Sequence, residues 1–413
     1  MAQQVNGVLE RFIRYCKVGT PSDPKNEAET PSNAAEFELA DMLADELKAL
    51  GVEDAVSDDH AYVVGHIPAS AGSEDKPCLG LIAHIDASYD APAMGVEPRV
   101  VHYEGGELLL GIVNGQDITL NESNTPGLSK LAGKDIVCTD GSTLLAADDK
   151  AGVAEIMELV SRIMADLSIA HPRLAICFAP DEEIGHGCSL LDLKAYGADI
   201  AYTVDGEEIG GVEYETFNAA SAEVHFRGHE IHPGSAKNIM VNALHLFEEF
   251  DAMLPASERP EHTDGYEGFY HLCNADGNCA KANALYIIRD HDRAKFEARK
   301  AHMERVAQLM NARLGQDRVE LKIRDQYYNM AEVIAEHMEL VDYAKASFEA
   351  CGYTPKVTPV RGGTDGSQLS LRGLPCPNLS TGGFNFHSVR EFIPVYALED
   401  MVDVLQNLVG RFA

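Results

Sequence analysis

Three apolar stretches constrain the architecture of this chain more than any other feature: "CLGLIAHID" (78–86), "RLAICFAPDEE" (173–183) and "ADIAYTVD" (198–205). Each is apolar almost without interruption. A strand wetted on one face alternates, whereas a continuously apolar strand is covered on both, as in a parallel sheet flanked by helices. The pattern "DDKAGVAEIMELVSRIM" between the first two stretches reads as a crossover helix. Each stretch also ends in potential ligands: His84 and Asp86, then Glu182 and Glu183, then Asp205. Sheets of this kind bind ligands beyond the carboxyl ends of their strands. These residues are therefore expected along one edge.

Around Asn218 the texture changes. "AASAEVHFRG", "NALYIIRD" and "RVELKIRDQY" alternate like half-exposed strands, with helical patterns between them. The expected fold class is α/β. A helix-covered, largely parallel sheet forms a catalytic domain over 1–218 and 328–413, and a smaller α+β lid domain over 219–327 is inserted into it. A length of 413 residues suits two domains. Further helices are expected at the N-terminus, with Val5, Leu9, Phe12 and Cys16 on one side, at Leu39–Leu50 ending on Gly51, at Ala331–Ala350 and at Leu398–Phe412. Strands are expected at "AYVVGHI" and "KVTPV". The segment 87–139 shows only short strand patterns and loops.

The formal charge of −33 argues against nucleic acid or an anionic membrane as partner. No apolar run is long enough to span a bilayer, and the N-terminus lacks a signal-peptide pattern. Nine scattered cysteines without a CxxC pair fit free thiols in a reducing compartment, so the expected location is cytoplasmic. No G-x-S-x-G elbow or G-x-G-x-x-G turn follows a strand, which leaves serine hydrolase and dinucleotide readings without support.

Asp181, Glu182 and Glu183 stand side by side and repel one another. Without a cation, at least one should have a raised pKa. His84 and Asp86, two apart on a strand, point to the same side. Asp148 and Asp149 lie in "STLLAADDKAG", where acids are equally at home as a helix start. His387 lies in the glycine-rich "GGFNFHS". Each is ordinary alone. Together, two histidines and several carboxylates at strand ends and loops match nitrogen and oxygen coordination of zinc. Five ligands sharing one carboxylate would suit two ions about 3.5–4 Å apart. His232 in "RGHEIHPGSA" is either a surface histidine or a donor to a developing oxyanion. Arg361 in "RGGTDGS" is either a salt-bridged turn residue or a carboxylate grip.

The series "LIAHIDAS", "STLLAADDKAG", "FAPDEEIGHG", "YTVDGEE", "HPGSAKNIMVNA", "YIIRDHD", "RGGTDGS" and "GGFNFHS" resembles the peptidase T family of tripeptide aminopeptidases, part of a wider group of two-zinc exopeptidases and deacylases. The resemblance runs from the first helix to the last. It implies that His84, Asp148 and Asp205 hold one zinc, and that Asp148, Glu183 and His387 hold the other. It implies that Asp86 orients His84 and that Glu182 activates a metal-bridging water as general base. His232 would be a lid histidine reaching an active site across a homodimer formed through the inserted domain. Arg361 and Arg289 would anchor the carboxylate of a small peptide substrate. A dipeptidase, a carboxypeptidase or an N-acyl amino-acid deacylase would use the same metal site. One departure is visible: "SVREF" follows His387 in place of a "GKHEF"-type continuation.

Overall fold

The computed structural model describes residues 7–413. It divides into two compact units. One comprises the chain up to Tyr214 with Glu332–Thr358 and Thr364–Ala413; the other comprises Glu215–Ala331 and Pro359–Gly363.

The first unit is built on an eight-stranded mixed sheet. Its order is Val56–Ser57, Val63–Ile67, Leu174–Ala179, Leu79–His84, Ile200–Gly206, Asn378–Ser380, Gly211–Glu213, Lys356–Val357. The four central strands, from Leu174–Ala179 to Asn378–Ser380, run parallel. Leu79–His84 and Leu174–Ala179 are buried at every position, as their unbroken apolar sequence requires. The helix Ala147–Ala165 packs on Leu79–His84 and Ile200–Gly206, and is itself backed by Val8–Cys16, Glu36–Leu50 and Val395–Arg411. The opposite face is closed by Tyr62, Ile82, Cys177, Tyr196, Leu369 and Cys376. Each large apolar side chain buried there contributes about 1.5–3 kcal/mol. Register decides the function of this sheet: His84 pairs with Ala179, and Ile82 with Thr203. The strands therefore deliver their polar ends to one edge.

In the N-terminal helix, Phe12 and Cys16 are buried as expected, Val8 rather than Leu9 completes the face, and Val5 lies outside the described residues. Glu36–Leu50 buries Leu39, Leu43 and Leu47 and ends on Gly51 at φ 105°. The helix expected over Ala331–Ala350 is two pieces, Ala331–Ile334 and Met338–Ala350. The segment 87–139 folds around a core of its own. Arg99–Tyr103, Lys134–Cys138 and Phe392–Pro394 form a three-stranded sheet, and Leu108–Val113 pairs with Gln116–Leu120. Tyr103, Leu110, Leu120, Leu131, Ile136 and Phe392 fill the space between.

The second unit is a four-stranded antiparallel sheet, ordered Phe269–Gly277, Lys281–Asp290, Asn218–Arg227, Val319–Tyr327. Ala220, Ala222, Val224 and Phe226 alternate inward against Ile288, Tyr286, Ala284 and Ala282. The helices Ala243–Ala252 and Arg293–Leu314 cover that face through Phe250, Phe296, Met303 and Met310. Among the described residues, no helix is long and apolar enough to cross a membrane. All nine cysteines are free.

Candidate metal centre

Seven of the ten residues singled out from the sequence meet at the carboxyl edge of the first unit's sheet. His84 Nε2 lies 3.0 Å from Asp148 Oδ1 and 3.4 Å from Asp205 Oδ1. His387 Nε2 lies 3.2 Å from Asp148 Oδ2 and 3.0 Å from Glu183 Oε2. Asp148 thus presents one oxygen to each imidazole. His84 is fixed by its strand, by its backbone N–H on Asp149 Oδ2 (3.1 Å) and by Nδ1 against Asp86 Oδ1 (3.1 Å). Asp86 also accepts the N–H groups of Glu182 and Glu183, both at 3.1 Å, so one buried carboxylate orients an imidazole and holds the acidic turn.

Glu182–Ile184 is a single 3-10 turn entered by Asp181 at φ 56° and left by Gly185 at φ 77°. Asp181 accepts the Ser32 N–H on both oxygens (3.0 and 2.8 Å). Two residues on, a Cβ at Gly187 would sit 1.9 Å from Asp365 Oδ1, so only glycine fits. Asp148 and Asp149 precede the regular helix with non-helical dihedrals. Asp149 Oδ1 accepts the Gly152 N–H (3.1 Å), a cap bond at the start of the regular helix. Ala146, Asp181 and His387 all have positive φ. Left-handed non-glycine residues cost about 1–3 kcal/mol each and gather where a site dictates the backbone.

The electrostatics are short of positive charge. Burial, with Asp205 and Asp365 nearby, pushes the Glu182 carboxyl well above its usual range. Burial and Asp148 raise Glu183 to about 7. Burial and Asp148 raise Asp205 to about 8, against the opposing pull of His84. Hydrogen bonds to Asp148 and Glu183 push His387 up to about 12. Burial alone would lower His84, but Asp205 and Asp86 outweigh it. Glu183 Oε1 is buried without a hydrogen-bond partner. The donor atoms of His84, Asp148 and Glu183, and of His84, Asp149 and Asp205, lie close enough to share an ion. A set of imidazole nitrogens and carboxylate oxygens with one orphaned oxygen fits divalent cations, whose charge would offset the crowding.

Among the described residues, nothing in the protein hydrogen-bonds to the Glu182 carboxylate, while its backbone is pinned. His232, Arg289 and Arg361 belong to the second unit. His232 is exposed and its Nδ1 accepts the Gly234 N–H (3.1 Å). Arg289 Nη1 donates to the carbonyls of Ala220 and Ile288 (3.1 and 3.0 Å). Arg361 spans the loop 263–267, donating to the carbonyls of Gly265 and Glu267 (2.8 and 2.9 Å) and to Thr263 Oγ1 (3.0 Å).

Two residues escaped the sequence reading. Asp90 Oδ2 stands 3.0 Å from His387 Nδ1, across 297 positions of chain. Glu391 accepts three N–H groups around Asp148. Each lies four residues beyond a residue already singled out, Asp86 and His387, which is the one signal the chain offers for them.

A family model for a peptidase dimerisation domain matches residues 214–318. Peptidase T of Geobacillus kaustophilus is 45% identical over 406 residues, covering 98% of both chains. Peptidase T of Aliivibrio fischeri is 43% identical over 402 residues, covering 97% of both. The crystal structure of aminopeptidase PepT from Bacillus cereus matches with a TM-score of 0.77 at 21% identity over 98% of both chains. A dinuclear metal binding peptidase of the M20 family from Bacillus subtilis matches at 0.64, with 15% identity and the same coverage. With near-complete coverage at such identity, the chain belongs to the peptidase T family.

Proposed function

We propose that this chain is a metal-dependent aminopeptidase that releases the N-terminal residue of tripeptides. The observation that supports this most is the meeting of His84, Asp148, Glu183, Asp205 and His387 around one shared carboxylate, with Glu182 beside them. The tripeptide reading rests on the peptidase T relatives. In it, His84, Asp148 and Asp205 hold one divalent ion, and Asp148, Glu183 and His387 the other. Zinc suits this donor set. When bound, such ions would lower the pKa of a coordinated water toward about 7 and polarise the scissile carbonyl.

Glu182 takes a proton from the attacking water and returns it to the leaving amine. Its pinned backbone and uncommitted carboxylate suit that task. Asp86 holds the His84 ring in one orientation and, through the Glu182 and Glu183 amides, keeps base and ligand in register. His232 of a partner copy donates a hydrogen bond to the oxyanion, in a homodimer made through the second unit. Arg361, with Arg289 as a further anchor, takes the distal carboxylate and measures substrate length, which requires Arg361 to exchange its loop carbonyls for that carboxylate. The free thiols favour a cytoplasmic setting.

The test is a panel of di-, tri- and tetrapeptides with an N-acetylated tripeptide and an N-acyl amino acid, assayed with zinc-loaded protein. Preferred cleavage of the first bond of the free tripeptide is expected. Preference for the dipeptide or for either acylated compound would replace the proposal with a dipeptidase or deacylase.

A further inference from the structure

Glu391 is 1% exposed and meets the metal centre only through backbone. Its Oε2 accepts the N–H groups of Leu145 and Ala146, both at 2.8 Å, and its Oε1 accepts the N–H of Asp148 at 3.0 Å. These amides converge because Ala146 is left-handed (φ 61°, ψ 38°) and Asp148 is extended (φ −82°, ψ 104°). Consecutive amides in such a turn form a concavity that takes an anion. Here the anion is a side chain of the same protein. A buried carboxylate with three N–H donors is well satisfied, and none of the three belongs to a regular element that would need it.

Two further features define its task. Asp148 must present its oxygens to two groups at once, His84 Nε2 at 3.0 Å and His387 Nε2 at 3.2 Å. A small backbone rotation would carry both oxygens off target. The segment bearing Glu391 also carries His387, four residues earlier, and is itself braced. Phe384 and Phe392 exchange backbone hydrogen bonds (2.9 and 3.1 Å), and their rings stack with centroids 5.0 Å apart. Phe392–Pro394 then pairs with Lys134–Cys138. One rigid hairpin thus approaches Asp148 from its side chain, through His387, and from its backbone, through Glu391. The "SVREF" departure leaves this glutamate in place.

We infer that Glu391 is a positioning residue: it clamps the turn 145–148 and so fixes the angle at which Asp148 bridges the two halves of the metal centre. This rests on the metal reading above. Glu391→Gln keeps the length but replaces one acceptor oxygen with a donor. Glu391→Asp keeps the charge and withdraws it by one methylene.

The experiment uses the full-length variants. Zinc affinity is measured by competition with a chelating dye, amide hydrogen exchange over 144–148 is followed in the same preparations, and kcat and KM are measured on a tripeptide. Both variants are expected to exchange faster over 144–148 with little change elsewhere. They should bind zinc about 10–100-fold more weakly, as loss of an outer-shell partner does. The loss of activity should fall on kcat, with KM within about twofold. Unchanged exchange and affinity would overturn the proposal. So would a variant that fails to fold, because the assigned role is confined to one turn. If the wild type binds no divalent ion, the metal reading fails by itself, and the exchange measurement still decides whether the clamp exists.

Discussion

His84 closes a strand buried on both faces; its side chain is 2% exposed, and its Nδ1 rests on Asp86, which is 0% exposed. His387 stands on a loop at positive φ; its side chain is 42% exposed, and its Nδ1 rests on Asp90, 54% exposed. The chemistry is the same in both, an imidazole with a carboxylate behind it and Asp148 in front. The support differs. Sheet register sets the first half, whose side chains are at most 12% exposed. A braced hairpin sets the second, with solvent on one side. A ligand pair that cannot relax holds its geometry with or without an ion, whereas an exposed pair needs the ion or a clamp to hold it. The two halves are therefore expected to differ in metal retention while sharing one carboxylate.

The strongest way to break this contrast is to remove what the halves share. Asp148→Ala should lose both ions and all measurable turnover, read by metal analysis after gel filtration. Retention of one tightly held ion would mean that Asp148 serves a single half. Next in size, Glu182→Gln should lower kcat by about 10²–10⁴-fold with two ions still bound, since it removes a base rather than a ligand. Near-normal turnover of that metal-loaded variant would remove Glu182 from the mechanism. Third, Asp86→Asn should cost about 10–100-fold in metal affinity or activity, and Asp90→Asn less than about tenfold, because solvent can replace an exposed partner. Equal losses would erase the distinction between the halves.

The smallest effect lies outside both. Burial, partly offset by the Asn378 amide at 2.8 Å, raises the Glu213 carboxyl to about 7. Its folded pKa exceeds the unfolded value of about 4.3. Across that window the folded state holds the extra proton, so this group's contribution to stability falls as pH rises and is fully lost above 7. Glu213→Gln should therefore raise Tm at pH 8 and leave it unchanged at pH 4, by thermal melts of the metal-free protein at both values. The same difference at both values would contradict the assignment.

The residues at strand ends were the legible ones. Unbroken apolar runs announce strands covered on both faces, and the chemistry at their ends is written in the next few residues, as with His84, Asp86, Glu182, Glu183 and Asp205. The exposed half depends on meetings across long stretches of chain. Asp90 reaches His387, and Glu391 reaches Asp148 across 243 positions, with no local pattern to join them. The strand Phe269–Gly277 was missed for a related reason: its outer half is exposed and a bulge near Leu272–Asn274 breaks its alternation. Asp148 and Asp149 read as a helix start because acids favour that position. The structure holds both in non-helical geometry, one as a bridge and the other on the His84 amide.

The proposed chemistry requires five side chains to gather around a pair of ions. Anomalous diffraction from crystals grown with zinc tests this directly. It should show two peaks about 3.5–4 Å apart, one against His84, Asp148 and Asp205, the other against Asp148, Glu183 and His387, with the second peak the first to fade under dilute chelator. No peak at saturating zinc, or peaks held by other side chains, would contradict it.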